Sequence, residues 1–105
     1  KNGGVFYFEK SQQLGLLEHV QSFAPGSSQT LKYQNGMKYF KKIIPEVKKG
    51  DCIIHDCLVV HGSEKNISSS ARRGLTIRYI GKSSGIDQIR KKKYETDLKS
   101  NTLSK

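Results

Sequence analysis

Residues 50–79 read GDCIIHDCLVVHGSEKNISSSARRGLTIRY, and this stretch decides the fold of the chain. It opens with a Gly50-Asp51 turn, continues as the apolar run Cys52–Val60, and resumes after a polar loop as Arg72–Ile80. Both runs are rich in β-branched and other apolar residues, a composition that is typical of strands. The stretch therefore predicts two strands joined by a polar loop.

Upstream of this stretch the sequence predicts shorter elements. Gly4–Phe8 (GVFYF) follows the turn signal Asn2-Gly3 and is expected to form a strand. Ser11–Val20 has apolar residues at helical spacing and predicts one or two helical turns. Turns are expected at Pro25-Gly26 and at Asn35-Gly36.

Short strands joined by Gly, Pro and Asn turns predict a mainly β, antiparallel fold, either a sandwich or a barrel. A jelly roll is the usual version of that architecture in small enzymes. Three or four strands are too few to close one, so we expect a partial double-stranded β-helix, cupin-like, with a short helix or loop insertion. The low hydrophobic fraction of 34% and a first residue other than Met also favour a piece of a larger protein.

The C-terminal part of the chain has a different composition. From Gly81 onward apolar residues are scarce, and residues 82–105 contain seven basic and three acidic residues. We therefore divide the chain into a β domain at residues 1–81 and a basic C-terminal extension at residues 82–105. Within the extension, Asp87–Leu98 is expected to form either a short charged helix or a frayed tail.

Composition excludes several classes of protein. No apolar run is long enough to span a membrane, and the first residues lack the pattern of a signal peptide. Cys52 and Cys57 are the only cysteines, which is too few for a disulfide framework. Since both lie in an apolar run, we expect them to be reduced and structural. These observations predict a cytoplasmic protein without a membrane segment.

The net charge of +10 raises the question of an anionic partner. The basic residues are spread along the chain, in the pairs Lys41-Lys42 and Lys48-Lys49 and in the run Lys91–Lys93. A spread of this kind favours a solvated surface over a dedicated patch. The sequence therefore does not favour nucleic-acid binding.

His61 and Arg72 are the candidate site residues. His61 ends the first predicted strand and Arg72 opens the second, eleven residues later. If the two strands are antiparallel neighbours, both side chains project into one pocket. A neutral imidazole can bind a metal ion, and a planar guanidinium can hold a carboxylate. This pair suits a keto-acid cosubstrate that chelates iron at one end and carries a free carboxylate at the other.

The alternation of side chains along a strand adds further residues to this candidate site. Thr76 and Arg78 share the side of Arg72 if the second strand is regular, so Thr76 is a further candidate for cosubstrate binding. His55 shares the side of His61 by the same argument. We expect His55 to form core or pocket wall and not to bind metal.

A series of turn and site motifs follows one order along the chain. In sequence they are Asn2-Gly3-Gly4, Gly50-Asp51, His61-Gly62-Ser63, Asn66, Ser68, Arg72-Arg73 and Tyr79. In this order the chain resembles the C-terminal part of the phytanoyl-CoA hydroxylase family, from Asn2 to about Gly81. The resemblance implies a jelly-roll oxygenase domain that uses Fe(II), O2 and 2-oxoglutarate to hydroxylate a small-molecule or acyl-type substrate. It also implies that His61 is the distal iron histidine and that Arg72 binds the far carboxylate of 2-oxoglutarate.

The chain departs from that family in its remaining iron ligands. Family members supply the first histidine and the carboxylate as a His-x-Asp pair, which this sequence lacks. His55-Asp56 cannot replace it, because adjacent residues of a regular strand point to opposite faces. We therefore expect the intact protein to be the dioxygenase, and this chain alone to bind Fe(II) and 2-oxoglutarate weakly or not at all and to be inactive.

An alternative function involves no catalysis. A half jelly roll exposes sheet edges and an apolar face, and both favour pairing with another chain. The alternative is a non-catalytic β-sandwich module that forms a homodimer through its exposed sheet or binds a partner.

Overall fold

The computed structural model describes residues 2–24 and 28–103. They form two compact units, one of residues 2–17 and 34–75, the other of residues 18–24, 28–33 and 76–103. The elements in chain order are β1 (Val5–Phe8), a 3-10 helix (Ser11–Leu14), β2 (His19–Gln21), β3 (Gln29–Leu31), a second 3-10 helix (Asn35–Tyr39), β4 (Lys42–Ile43), β5 (His61–Ser63) and α1 (Gln88–Leu103).

These elements confirm the prediction of a mainly β, antiparallel, partial fold. The described strands make two small sheets, one in each unit, and they close no barrel. The jelly-roll topology stays a prediction, as does the domain boundary at residue 81. The predicted Pro25-Gly26 turn lies outside the described residues.

The first unit is built on a three-stranded sheet of order β4-β1-β5. Its central strand β1 pairs antiparallel with both neighbours, with Tyr7 opposite Ile43 on one side and opposite His61 on the other. The aromatic residues of β1 stabilise this arrangement locally, since the rings of Phe6 and Phe8 meet edge to face at 5.6 Å. The strand predicted at Gly4–Phe8 is therefore confirmed.

The predicted helical segment is confirmed as one turn at Ser11–Leu14, although Val20 at its expected end lies in β2, and two of the predicted turns are also confirmed. The first 3-10 helix makes one turn and ends at Gly15, whose φ of 68° is unfavourable for other residues. The Asn35-Gly36 signal begins the second 3-10 helix. Gly50, with φ of 99°, closes a turn in which the amide of Asp51 donates to the carbonyl oxygen of Lys48 over 3.0 Å.

The strand predicted at Cys52–Val60 is wrong, because this stretch forms turns and irregular backbone up to β5. The carboxylate of Asp56 accepts a hydrogen bond from the amide of Leu58 over 2.7 Å. A side chain that binds its own backbone two residues ahead competes with sheet pairing. Cys52 and Cys57 are consequently free but exposed, so the prediction that they pack structurally in a strand is also wrong.

The strand predicted at Arg72–Ile80 is likewise not formed. No backbone hydrogen bond joins residues 73–80 to another described residue. Their strand-forming side chains stay in solvent, with Ile77 65% and Tyr79 91% exposed. Strand propensity alone does not make a strand when no neighbouring strand supplies the ladder.

The second unit contains the β2–β3 hairpin, with Val20 opposite Thr30, and α1. Helix α1 begins after Asp87, whose carboxylate accepts from the amide of Arg90 over 3.0 Å as an N-cap does. The helix contacts the hairpin through Gln29, whose amide donates to a carboxylate oxygen of Asp97 over 2.7 Å. Of the two alternatives for the C-terminal extension, the helix is the one observed.

Apolar burial is sparse. Within residues 2–24 and 28–103, of which the side chains up to residue 100 are described, Met37 is the one buried hydrophobic residue, while the side chain of Ser11 is completely buried. None of the helices in that part of the chain has the length and apolar character that a membrane crossing requires. The first unit is therefore held together mainly by its sheet and by specific polar contacts, which also form the candidate site.

Candidate functional site

Strand β5 positions His61 at the edge of the sheet beside Tyr7. The two residues are directly opposite in the strand register, and their rings stack with centroids 5.7 Å apart at 26°. The preceding residue, Val60, is held from two sides. Its amide donates to the buried hydroxyl of Ser11 over 2.8 Å, and its carbonyl accepts from the amide of Phe8 over 2.9 Å. The backbone that presents His61 is therefore fixed.

The imidazole of His61 has a defined hydrogen bond. Its Nδ1 lies 2.9 Å from the carbonyl oxygen of Val59. Because a carbonyl only accepts, Nδ1 carries the proton of the neutral ring and Nε2 keeps its lone pair. Metal-binding histidines in proteins are commonly oriented in this way, by a backbone carbonyl on the other ring nitrogen. The side chain is exposed, so an ion can reach it.

The guanidinium of Arg72 reaches the same strand. Its Nη2 donates to the hydroxyl of Ser63 over 3.2 Å, and its Nη1 donates to the carbonyl oxygen of Gly3. Ser63 is two residues beyond His61 on β5 and thus on the same face of the sheet. The structure therefore brings Arg72 to the face of β5 that carries His61, through its side chain and not through a second strand.

The loop before Arg72 is shaped by two further motif residues. The side-chain oxygen of Asn66 accepts from the amide and the hydroxyl of Ser68, over 3.0 and 2.7 Å. The amide of the same asparagine donates to the carbonyl oxygen of Ser70 over 2.8 Å. These contacts fold the polar loop back on itself, so that Arg72 returns to the sheet.

Gly3 allows this loop to approach β1. It has a φ of 68°, and a Cβ at this position would meet the carbonyl oxygen of Glu64 and lie 2.9 Å from the amide nitrogen of Asn66. Only glycine combines that backbone conformation with so close an approach. The Asn2-Gly3 signal thus marks a contact between the start of β1 and the polar loop.

His55 lies beside His61, with ring centroids 4.8 Å apart at 52°. It also contacts the ring of Tyr7 at 5.2 Å and helps to line a cavity of about 330 Å³. The remaining lining residues are mostly apolar: Tyr7, Gln12, Ile43, Pro45, Ile53, Ile54, Asp56 and Val59. His55 therefore lies at the wall of a pocket and not in the core, although the strand from which its place was argued is absent.

Sequence reasoning missed Tyr7, which contacts both histidines. Partial burial raises the pKa of its phenol above the ordinary value, so Tyr7 is neutral and uncharged beside the imidazoles. Its place opposite His61 depends on the pairing of β1 with β5, and a local pattern does not contain that information.

A comparison with sequence models of protein families identifies the family of this chain. The sequence model of the phytanoyl-CoA dioxygenase (PhyH) family matches residues 1–74. The chain belongs to the phytanoyl-CoA dioxygenase family. No curated protein and no solved structure gives a significant match. The matched region includes His61 and Arg72 and ends before Thr76 and α1.

The residues fit the Fe(II) and 2-oxoglutarate of the phytanoyl-CoA dioxygenase family only in part. His61 offers one nitrogen suitable for a metal, and Arg72 has more N–H donors than its two hydrogen bonds use. Within the described part of the chain, however, His, Cys, Asp and Glu form no cluster of three or more that could hold an ion. The chain thus offers one nitrogen that could bind a metal and one guanidinium that could hold a carboxylate.

The argument that made Thr76 a candidate for cosubstrate binding does not hold. The strand that would have placed it on the side of Arg72 is not formed, and Thr76 belongs to the second unit. It is exposed and lies beyond the part that matches the phytanoyl-CoA dioxygenase family. The same holds for Arg78, which is also exposed, belongs to the second unit and lies beyond the matched residues.

Proposed function

We propose that this chain is the C-terminal part of a non-haem Fe(II)/2-oxoglutarate-dependent dioxygenase, in which His61 is the distal iron histidine and Arg72 binds the far carboxylate of 2-oxoglutarate. One observation supports this most directly. The guanidinium of Arg72 is bonded to Ser63, on the face of β5 that also presents the free Nε2 of His61. When bound, Fe(II) with 2-oxoglutarate and O2 supplies the oxidative hydroxylation, with release of succinate and CO2.

The roles of the chain's own residues follow from their contacts. The carbonyl of Val59 holds the His61 ring in the tautomer that leaves Nε2 free for the metal. Arg72 offers its remaining N–H donors to a carboxylate, and a two-pronged contact of this kind fixes both position and orientation. The second histidine and the carboxylate ligand are provided by a part of the intact protein outside these residues.

The apolar cavity next to His55 supports a small-molecule or acyl-type substrate for the intact protein. Its lining is dominated by aliphatic side chains such as Ile43, Ile53 and Val59, with few polar groups. The pocket is open to solvent, and its apolar lining favours contact with apolar parts of a ligand. We also propose the cytoplasm as the compartment, because Cys52 and Cys57 are free.

Titration with 2-oxoglutarate tests this function, followed by amide NMR in the presence of Zn²⁺, a redox-inert ion that imidazole binds, on the chain with Cys52→Ser and Cys57→Ser. The proposal expects weak, saturable shifts at Gly3, Ser63 and Arg72. Arg72→Ala abolishes them, while Arg73→Ala, which removes the same charge one residue further on, leaves them intact. Shifts that are equal in both variants would show binding through net charge alone and would contradict the role of Arg72.

A second candidate is a non-catalytic module that self-associates. It is favoured by the exposure of apolar residues in the first unit, where Ile54 is 95% and Leu75 is 89% exposed, and by the open edges of β4 and β5. Sedimentation over a range of concentrations tests it. A homodimer shows a mass that rises with concentration, and a constant monomer mass excludes this candidate.

A further inference from the structure

We propose that His55 and His61 form a two-histidine site that binds a divalent transition-metal ion through their Nε2 atoms. The imidazole rings of His55 and His61 lie with their centroids 4.8 Å apart and an interplanar angle of 52°. Two imidazoles that share one ion, with metal–nitrogen bonds of about 2.0–2.1 Å and an angle between right and tetrahedral, have centroids about 4.5–5 Å apart. The observed centroid separation lies within this range.

Both rings have the same hydrogen bond on the nitrogen away from the proposed ion. Nδ1 of His55 lies 2.9 Å from the carbonyl oxygen of Asp56, and Nδ1 of His61 lies 2.9 Å from that of Val59. Since carbonyl oxygens only accept, both neutral rings carry their proton on Nδ1. Each ring is thus left with an unprotonated Nε2, the state in which histidine binds a metal.

Tyr7 holds the two rings in place. Its ring lies 5.2 Å from that of His55 and 5.7 Å from that of His61. Both imidazoles are nevertheless exposed, so an ion in solution can reach them without unfolding the sheet. A site that is already ordered and accessible loses little side-chain entropy on binding.

The donor set selects the class of ion. Imidazole nitrogen suits Cu²⁺, Ni²⁺ and Zn²⁺, whereas Mg²⁺ and Ca²⁺ prefer oxygen ligands. No third protein donor is clustered with these two among the described residues, so water completes the coordination. With two protein ligands the affinity follows the general order in which Cu²⁺ is bound most tightly.

This site shares His61 with the proposed function but needs neither 2-oxoglutarate nor Arg72. It adds His55, which lacks the His-x-Asp spacing of the family's ligand pair and which we predicted to be only a pocket wall. The two-histidine metal site and the proposed function are therefore tested by different experiments.

Isothermal titration with Ni²⁺ tests the pair. It uses the full chain without a histidine tag, with Cys52→Ser and Cys57→Ser introduced so that the free thiols cannot bind the ion. His55→Phe and His61→Phe remove one ligand each while keeping a ring against Tyr7. His19→Phe, in the second unit, is the matched control.

We expect one Ni²⁺ per chain, at least a tenfold loss of affinity in His55→Phe and in His61→Phe, and unchanged affinity in His19→Phe. Amide NMR spectra of the variants confirm that the sheet is intact. An affinity lowered by His61→Phe but not by His55→Phe overturns the pair and leaves the proposed function standing. Absence of Ni²⁺ binding, or equal binding by all variants, overturns it as well.

Discussion

Arg72 donates a hydrogen bond from Nη2 to the hydroxyl oxygen of Ser63 over 3.2 Å. Its Nη1 donates at the same time to the carbonyl oxygen of Gly3, just before β1. One side chain thus connects the end of the polar loop to β5 and to the start of β1. Before it binds any ligand, Arg72 already has a role in holding the first unit together.

Replacement of Arg72 by Ala should destabilise the first unit by about 1–2 kcal/mol, which is typical of hydrogen bonds from a charged donor that is partly in solvent. Amide hydrogen exchange in β1 and β5 measures this loss. Arg73→Ala is the control, since a surface substitution without such contacts changes stability by less than about 0.5 kcal/mol. Equal effects of the two substitutions would contradict the structural role of Arg72.

Gly3→Ala should be far more damaging than Gly15→Ala. Both glycines have a φ of 68°, which residues with a Cβ rarely adopt, so both variants incur a backbone penalty. Only at Gly3 does the added Cβ also meet backbone atoms of the polar loop, whereas it has no atom within 4 Å at Gly15. Urea unfolding compares the two variants, and similar midpoints would argue against the close approach at Gly3.

Ser11→Ala should lower the free energy of unfolding by about 1–3 kcal/mol, because it leaves the amide of Val60 without its acceptor. The ring signals of His61 should broaden or shift, since Val60 directly precedes it. Ser69→Ala, at an exposed position of the polar loop, should change neither. NMR of the histidine side chains together with a urea melt gives both readouts. A stable Ser11→Ala variant with unchanged His61 signals would show that the buried hydroxyl is dispensable.

The carboxylate of Glu18 should titrate below its ordinary range. The hydrogen bond from Lys32 at 2.7 Å lowers the pKa of Glu18, and a weaker contribution comes from the charge of Lys93. Because this pKa is depressed, the contribution of the pair to the hairpin is complete above the ordinary pKa of glutamate and is lost as the pH falls through the lowered value.

An NMR pH titration of the Glu18 side chain checks this order. Lys32→Gln should raise its pKa more than Lys93→Gln does, because the direct hydrogen bond is the larger cause. Lys41→Gln, in the first unit, serves as the control and should leave the titration unchanged. A larger effect of Lys93→Gln would mean that charge at a distance, and not the hydrogen bond, sets the pKa.

The sequence predicted those parts of the fold that depend on local signals. The aromatic run of β1, the Gly50-Asp51 turn and the short helical segment after Ser11 were all found. The two longest predicted strands were not, because strands depend on partners that a local pattern does not specify. In the first of them the side chain of Asp56 also binds its own backbone instead of leaving it for a sheet.

The candidate site residues stay a prediction, because the strands predicted at Cys52–Val60 and Arg72–Ile80 are absent and neither His61 nor Arg72 lines the apolar pocket. The spacing of His61 and Arg72 suggested one pocket, and the guanidinium does reach the face of β5 that carries the imidazole. It does so by the length of its own side chain, so the parity argument for Thr76 does not hold. The contact between Tyr7 and the two histidines joins residues that are distant in sequence, so no local sequence pattern could predict it. The metal and cosubstrate roles themselves stay predictions.

The lack of backbone hydrogen bonds in residues 73–80 has a practical consequence for anyone who handles this protein. Proteases bind their substrates as extended strands, and this stretch is already unpaired, exposed and supplied with arginines at Arg73 and Arg78. Trypsin should therefore cut here before it attacks the lysines of α1, whose backbone is protected by the helix. A short digestion followed by mass spectrometry should show cleavage after Arg73 and Arg78 earlier than cleavage within α1.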